Sequence, residues 1–388
     1  MRANRSDDET AASRAGRPCP RPLASCALVV LLALALGAAG TRSGRAESRP
    51  WAAKDAPSAP GPRRSVTWVT RTMGTYVQIA LATPDSAAAW PDARMAQEVF
   101  RRVDSLMSNW TTTSEVARLN RVAASGPTRV HPEVATVLDA SLRIWRESDG
   151  AFDITVEPLI RAWGFIGGPR RVPTDIEIAA ALSRVGARQL RFDPTARTLG
   201  FARDGVKIDL GGIAKGYAVD VAAESLRAHG VSDALVNLSG NMVALGKPVD
   251  AAGWRIGVRD PRDRLPYLGR LTLSGEAIST SGQYEQFIAG DGKTYGHIMN
   301  PRTGRPSEGL ISVTVVAPSA METDGWDTPL FVLGPIAARR KARQLDRIDA
   351  ILVQPGTGGV DTMWVEETLR DRFLLEPRAR SFIQLRYF

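Results

Sequence analysis

The segment that most constrains the fold of this chain runs from Ile208 to Asp220 and reads Ile-Asp-Leu-Gly-Gly-Ile-Ala-Lys-Gly-Tyr-Ala-Val-Asp. An extended run carrying Asp209 is predicted to pass through Gly211 and Gly212 into a helix whose first turn holds Lys215. Paired glycines let backbone atoms approach a ligand closely, and a helix start offers unpaired N–H groups that favour an anion. The segment therefore predicts either an anion-binding junction or a purely architectural strand-to-helix turn.

The composition indicates a globular protein with a sizeable core. Of the 388 residues, 44% are hydrophobic and 23% are charged, which argues against wholesale disorder. The net charge is +9, but no dense Lys/Arg stripe interleaved with aromatic residues is found, so nucleic acid is not an expected partner. The 2 cysteines, Cys19 and Cys26, lie near the N-terminus. The folded domain is therefore expected to use neither disulfides nor cysteine–zinc sites.

Residues 1–48 are predicted to be an export signal or an N-terminal anchor. Basic residues, including Arg14, Arg17 and Arg21, precede an apolar run at 23–36, and small residues follow it. Residues 49–64 are rich in Pro, Ala, Ser and Arg, which is typical of a flexible linker. We therefore expect an exported protein, either periplasmic or attached to the outer face of the inner membrane, with its folded domain at 65–388.

The pattern of residues 65–388 predicts a single α+β domain with a mostly antiparallel sheet system and flanking helices. Two strands are expected around the turn at Met73, and the Ser/Thr-rich stretch 275–282 is expected to be a turn. Helices are predicted at 93–107, 132–148 and 175–185, from Gly212 to His229, and again where Asp324 opens a helix. Strands are predicted within 189–208 and at 234–245, 254–259, 268–273, 284–289, 311–316, 350–353 and 382–387.

Asp324, Asp327 and Thr328 form the first candidate site. Their spacing places the three side chains on one side of a helical turn, where hard oxygen atoms can converge on a cation. Mg²⁺ fits best, because it prefers oxygen ligands and shares its shell with substrate phosphates. The alternative is a helix N-terminus whose acidic residues only favour the helix start.

His297 is the leading candidate for acid–base chemistry. The chain has 3 histidines, and the other two, His131 and His229, fall at predicted helix ends. The alternative is a hydrogen-bonded histidine at a strand end. Asp153 follows a helix terminator and is read more simply as a capping acid. No P-loop and no Gly-x-Ser-x-Gly elbow is present, so those two enzyme classes are excluded.

Taken in order, the motifs of this chain resemble those of the ApbE family of flavin transferases. The motifs are Met73-Gly-Thr, Gly150-Ala-Phe-Asp153, Asp209-Leu-Gly-Gly-Ile-Ala-Lys-Gly-Tyr217, Thr280-Ser-Gly282, His297-Ile-Met-Asn-Pro-Arg-Thr-Gly304 and Asp324 to Thr328. The resemblance implies an ApbE-like, T-fold-related domain. It also implies an exported, Mg²⁺-dependent enzyme that cleaves FAD, attaches the FMN half to Ser or Thr of an acceptor protein and releases AMP. The expected acceptor is an exported or membrane redox protein.

The resemblance also assigns roles to individual residues. It implies a metal site made by Asp324, Asp327, Thr328 and the carbonyl of Gly212, and it makes His297 the general base toward the acceptor hydroxyl. The implied FAD contacts are Met73, Trp110, Ala151, Phe152, Asp153, Asp209, Lys215 and Ile298.

Four positions depart from the family pattern. Trp110 stands where Tyr is common, Asn300 replaces the Asp of the His-x-x-Asp-Pro turn, Glu157 replaces a frequent Gly, and Pro329 follows the metal-site threonine. Two alternatives stay open beside the transferase. One is an FAD diphosphatase, in which water replaces the protein hydroxyl and FMN and AMP are released. The other is a flavin-binding or storage protein without catalysis, which Asn300 favours because it lacks the carboxylate charge.

Overall fold

The structure is a computed structural model that describes residues 64–290 and 292–388. These residues belong to one compact unit. The predicted leader (1–48), with Cys19 and Cys26, lies outside the described residues, and so does the predicted linker (49–64) except for Arg64. Within the described part of the chain, no helix is both long and apolar enough to cross a membrane.

The helices of the described residues are α1 (Ser86–Met107), α2 (Glu115–Val122), α3 (Pro132–Glu147), α4 (Glu157–Ala162), α5 (Asp175–Leu182), α6 (Ala214–Ala228) and α7 (Ala320–Gln344). The strands are β1 (Arg64–Thr72), β2 (Thr75–Thr83), β3 (Thr128–Arg129), β4 (Leu190–Asp193), β5 (Thr198–Phe201), β6 (Ala234–Leu238), β7 (Asn241–Leu245), β8 (Trp254–Val258), β9 (Gly269–Leu273), β10 (Glu276–Gly282), β11 (Phe287–Gly290), β12 (Lys293–Gly296), β13 (Ser312–Ala317), β14 (Asp349–Gln354), β15 (Asp361–Val365), β16 (Phe373–Leu375) and β17 (Ile383–Tyr387).

A nine-stranded sheet organises the described residues, in the order β1-β2-β6-β7-β10-β13-β14-β15-β17. Its neighbouring strands are antiparallel except β15 and β17, which pair in parallel. The expected α+β domain with a mostly antiparallel sheet is therefore confirmed.

Each face of this sheet is covered by a different layer. Because side chains alternate along a strand, Val313 and Val315 of β13 join the core beneath α1, α6 and α7, whereas Val316 joins a second core. That second core lies against the three-stranded sheet β16-β9-β8. A third, smaller cluster gathers α4, α5 and β11 around the buried Trp163. The sheet is thus buried on both faces, so polar residues on its strands need a specific partner.

Several predicted elements are confirmed. The turn at Met73 joins β1 to β2, α3 and α5 lie where they were predicted, and α6 places Lys215 in its first turn. His131 caps the start of α3, and His229 caps the end of α6.

Other element predictions are wrong. The expected single strand at 234–245 is a hairpin, because Ser239 and Gly240 take φ values of 51° and 96° and form a two-residue turn. The stretch expected as a Ser/Thr-rich turn is β10, a central strand. Residues 206–210, expected to be extended, form no strand. The strand predicted at 284–289 is β11, which begins at Phe287 and ends at Gly290.

Candidate active site

The loop that carries Asp209 is held by side chains rather than by a sheet. The amide of Asn120 donates to the carbonyl of Ile208 at 2.9 Å and accepts from its N–H at 2.8 Å, and Asn109 donates to the same carbonyl at 3.0 Å. Asp209 Oδ1 then accepts from the N–H of Gly211 at 2.7 Å. Burial raises the pKa of Asp209. The loop therefore presents Asp209 and the two glycines at a fixed place before α6.

Helices α6 and α7 approach each other closely just beyond this loop. A Cβ on Gly216 would lie 2.1 Å from the carbonyl oxygen of Ala320, so only glycine permits this contact. The N–H of Gly216 donates to Asp324 Oδ2 at 2.9 Å, and Lys215 Nζ donates to Asp324 Oδ1 at 3.1 Å. Asp324, on α7, is thereby fixed against the start of α6.

Asp327 lies one turn further along α7 and faces β10. Ser279 Oγ donates to Asp327 Oδ2 at 2.6 Å, and Ser281 Oγ donates to Oδ1 at 2.9 Å. Burial and the charge of Asp324 raise the pKa of Asp327. The alternative of acidic residues at a helix start is wrong, because α7 is capped by Ser319 and both acids lie beyond its first turn. Asp324 and Asp327 therefore do not cap α7 or interact with its N-terminus.

The four residues of the expected metal site are brought together. Thr328 Oγ1 donates to Asp327 Oδ1 at 3.2 Å, and a Cβ built on Gly212 would lie 3.8 Å from the same Oγ1. Burial opposes the charge of Lys215, but the carboxylates of Asp324 and Asp327 outweigh it and raise the pKa of that lysine. No group of three His, Cys, Asp or Glu side chains gathers anywhere in the described residues. The cluster thus combines two acids with neutral oxygen atoms.

His297 follows β12 and carries a defined tautomer. Its Nδ1 lies 3.3 Å from the carbonyl oxygen of Gln286, which can only accept a hydrogen bond, so Nδ1 holds the proton and Nε2 keeps its lone pair. Burial lowers the pKa of His297 to about 4, and the positive charges of Lys215 and Arg170 add to that effect. The ring packs edge-on against Phe165 at 6.3 Å. This histidine is neutral near pH 7, as a general base must be.

Asn300 supports the turn after His297 without a charge. Its Oδ1 accepts from the N–H of Arg302 at 2.9 Å, and its carbonyl accepts from the N–H of Gly304 at 2.9 Å. The side-chain amide of Asn300 therefore accepts the turn hydrogen bond without the charge of the Asp that the family pattern has at this position. Pro329 is accommodated within α7, where it removes one helical hydrogen-bond donor.

The residues expected to contact FAD occupy different environments. Trp110 is 69% exposed and follows Asn109, which holds the Asp209 loop, while Met73 takes a φ of 50° in the β1–β2 turn. Ala151, Phe152 and Ile298 are buried, and the Phe152 ring approaches Gly212.

Asp153 has its carboxylate occupied, as the capping interpretation expects. Its Oδ1 accepts from the N–H of Thr155 at 2.8 Å, and its Oδ2 accepts from the N–H of Ala187 at 2.9 Å. The carboxylate of Asp153 therefore caps the short turn that follows it. The FAD contacts stay predictions.

Two groups at the site have no role assigned to them by the sequence analysis. Ser279 and Ser281 bind Asp327, and their spacing of two is the signal of a strand with one polar face. Glu157 is almost fully buried and adds to the raised pKa of Asp209. Its Oε1 is bound by Arg161 at 2.6 Å, while Oε2 has no partner among the described residues.

The fold and this cluster define an α+β enzyme whose site joins buried carboxylates, a lysine and a neutral histidine. The chain belongs to the ApbE family, whose profile matches residues 73–352. It is 34% identical over 296 residues to the FAD:protein FMN transferase of Klebsiella pneumoniae, covering 74% of this chain and 84% of the relative. The corresponding transferase of Escherichia coli K12 is 33% identical over 282 residues, covering 71% and 80%. The chain is therefore an enzyme of the transferase class.

Solved structures agree with this assignment. The flavin transferase ApbE of Vibrio cholerae superposes with a TM-score of 0.73 at 30% identity, covering 80% of this chain and 100% of that one. The ApbE protein of Thermotoga maritima gives a TM-score of 0.73 at 30% identity, covering 80% and 99%.

Proposed function

We propose that this protein is a Mg²⁺-dependent FAD:protein FMN transferase, which attaches FMN from FAD to a Ser or Thr hydroxyl of an acceptor protein and releases AMP. The observation that carries the proposal is the convergence of Asp324, Asp327 and Lys215 with a neutral His297 nearby, in a chain whose relatives bear that name.

The residues present fit a magnesium ion. Asp324 and Asp327 are buried acids whose proximity is unfavourable when both are charged, and Thr328 and Gly212 offer neutral oxygen atoms beside them. This hard, oxygen-only donor set with few protein ligands suits Mg²⁺ shared with a diphosphate. When bound, the ion would neutralise charge on the diphosphate during transfer.

Lys215 is placed to act on the same anion. In the structure its ammonium group bridges Asp324 Oδ1 and the carbonyl of Gly211, at 3.1 and 2.9 Å. A lysine that already lies beside two carboxylates stays charged, because their negative charge raises its pKa against the effect of burial. It would stabilise the charge that develops on the departing AMP oxygen.

His297 would accept the proton from the acceptor. As the hydroxyl oxygen of Ser or Thr forms a bond to the FMN-side phosphorus, its proton passes to Nε2, and the bond from that phosphorus to the AMP oxygen breaks. The Gln286 carbonyl holds the ring in the tautomer that this step needs. Most of the acceleration would come from positioning and electrostatics.

We place this reaction outside the cytoplasm, either in the periplasm or on the outer face of the inner membrane, with an exported or membrane redox protein as acceptor. The support is the basic and apolar leader at 1–48. Cell fractionation of the full chain tests this placement, and a wholly cytoplasmic protein would contradict it.

The activity is tested by incubating the full chain with FAD, Mg²⁺ and an extract of exported proteins. The expected result is a protein band with flavin fluorescence on a denaturing gel, together with AMP in equal amount. His297→Gln should bind FAD but transfer no FMN, while His229→Gln, at an exposed helix end, should behave as wild type. Free FMN and AMP without labelled protein would favour the diphosphatase, and FAD binding without AMP would favour a non-catalytic protein.

A further inference from the structure

Asn241 has a buried carboxamide that the fold does not use. The residue begins β7 and is 4% exposed, and its Oδ1 has no hydrogen-bond partner among the described residues. Asn237, in the same hairpin, is also buried, but its Oδ1 accepts from the N–H of Gly240 at 2.9 Å. One asparagine therefore builds the hairpin turn, whereas the other is left unsatisfied, at a cost to folding.

Asn241 faces the helix layer. Val243 and Leu245, which alternate with it along β7, join the core beneath α6 and α7, whereas Met242 and Ala244 pack on the opposite side of the sheet. On β10, Ala277 joins that same helix-side core. Ser279 follows it on the same face and donates to Asp327 Oδ2.

The strand register places Asn241 beside Ser279. Strands β7 and β10 are antiparallel, and Ile278 lies opposite Met242. The next step of this register puts Ser279 opposite Asn241, and Cβ atoms in such pairs are about 5 Å apart. The free carboxamide is thus the cross-strand neighbour of the serine that holds Asp327.

We propose that Asn241 is a positioning residue of the metal site, whose carboxamide hydrogen-bonds a water molecule on the ion held by Asp324, Asp327, Thr328 and Gly212. The inference rests on the proposed Mg²⁺ dependence. Mg²⁺ usually keeps several waters, and groups outside the first ligands orient such waters. A neutral amide beside Asp327 accepts from a bound water without adding a third negative charge to the two carboxylates.

Two variants of Asn241 in the full chain test this role, and Asn237→Asp is the control. Asn237 lies in the same hairpin, but its position on β6 alternates with Val236 and Leu238 of the helix-side core, so it faces away from Asp327. Mg²⁺ affinity is measured by calorimetry without FAD, and FAD affinity by flavin fluorescence in EDTA. Asn241→Leu should weaken Mg²⁺ binding by about 10- to 100-fold. Asn241→Asp should bind Mg²⁺ at least as tightly as wild type, and Asn237→Asp should be unchanged.

A second readout separates this role from a structural one. Because leucine replaces an unsatisfied amide with an apolar group of similar size, Asn241→Leu should melt no lower than wild type without metal. FAD affinity in EDTA should be equal in all variants. Unchanged Mg²⁺ affinity in Asn241→Leu would overturn the proposal, and so would weaker FAD binding in EDTA, which would mean a direct nucleotide contact. The proposed transfer activity is judged separately on the wild type, where labelled acceptor protein either forms or does not.

Discussion

The depressed pKa of His297 predicts an unusually broad pH range for activity on the acid side. The ordinary value is 6.5, and burial lowers it to about 4. At pH 5.5, which is about 1.5 units above the lowered value, about 97% of the histidine is neutral. With the ordinary value only about 9% would be neutral. We therefore expect the fraction of active base at pH 5.5 to be about tenfold larger than an ordinary histidine would give.

Two measurements check this prediction. The imidazole signals of the full chain are followed by NMR between pH 3.5 and 8, and the signal missing in His297→Gln identifies the residue among the 3 histidines. Transfer rates are then measured over the range where the fold is intact, with Mg²⁺ held at saturation at every pH. An NMR midpoint near 6.5, with a loss of rate at the same pH, would refute the assignment of a buried, neutral base.

The same shift has a consequence for folding. Since the pKa in the folded protein is depressed below 6.5, the unfolded chain takes up its proton first as the pH falls. The neutral state of His297 therefore contributes its full share to folding stability above about pH 6.5, and this contribution is lost as the pH falls through about 4. It amounts to at most about 3 kcal/mol, because each pKa unit between 6.5 and about 4 corresponds to about 1.4 kcal/mol. His297→Gln should lose this part of the acid dependence of the melting temperature.

Three further predictions concern other parts of the molecule. Asp327→Asn should reduce Mg²⁺-dependent transfer about 100-fold or more. The melting temperature without metal should be equal or higher, because the substitution removes one of two adjacent buried charges. Full activity of this variant would contradict the metal assignment. Trp110→Ala should weaken FAD binding by up to about tenfold without changing stability, since the indole is 69% exposed and free to stack on a flat ring, and Trp110→Tyr should restore binding in a fluorescence titration. Burial raises the pKa of Glu366 to about 7. The protonated Glu366 therefore contributes fully to folding stability below about pH 4.5, and this contribution is lost as the pH rises through about 7. Melting temperatures at pH 5 and 8 should therefore differ less in Glu366→Gln than in wild type.

The sequence predicts best the elements whose pattern depends on packing alone. α3 repeats Val134, Leu138 and other apolar residues at helical spacing, and α6 does so after its glycines, so their bounds are nearly those of the structure. Strand alternation likewise located β1 and β2 around the Met73 turn. In these elements the local pattern and the tertiary contacts agree.

The errors have a common physical origin at the site. β10 was expected to be a turn because Ser279, Thr280 and Ser281 break the apolar alternation of a buried strand. Two of those hydroxyl groups bind Asp327, which lies far away in the sequence, and no local pattern reveals such a contact. In the same way, the start of α7 was misplaced because its acids look like residues of a first turn, although they bind α6 and β10 instead.

The polar residues of β7 and β10 that face the helices therefore mark the site, although a search for single motifs overlooks them. A strand buried on both faces ordinarily excludes Ser and Asn, yet Asn241, Ser279 and Ser281 all lie at this end of two adjacent strands. The acids of α7 above them carry a like-charge repulsion that Lys215 only partly relieves. Apolar side chains in place of this group would remove that repulsion, so the group costs folding stability, which agrees with the proposal that a cation and an anion complete it.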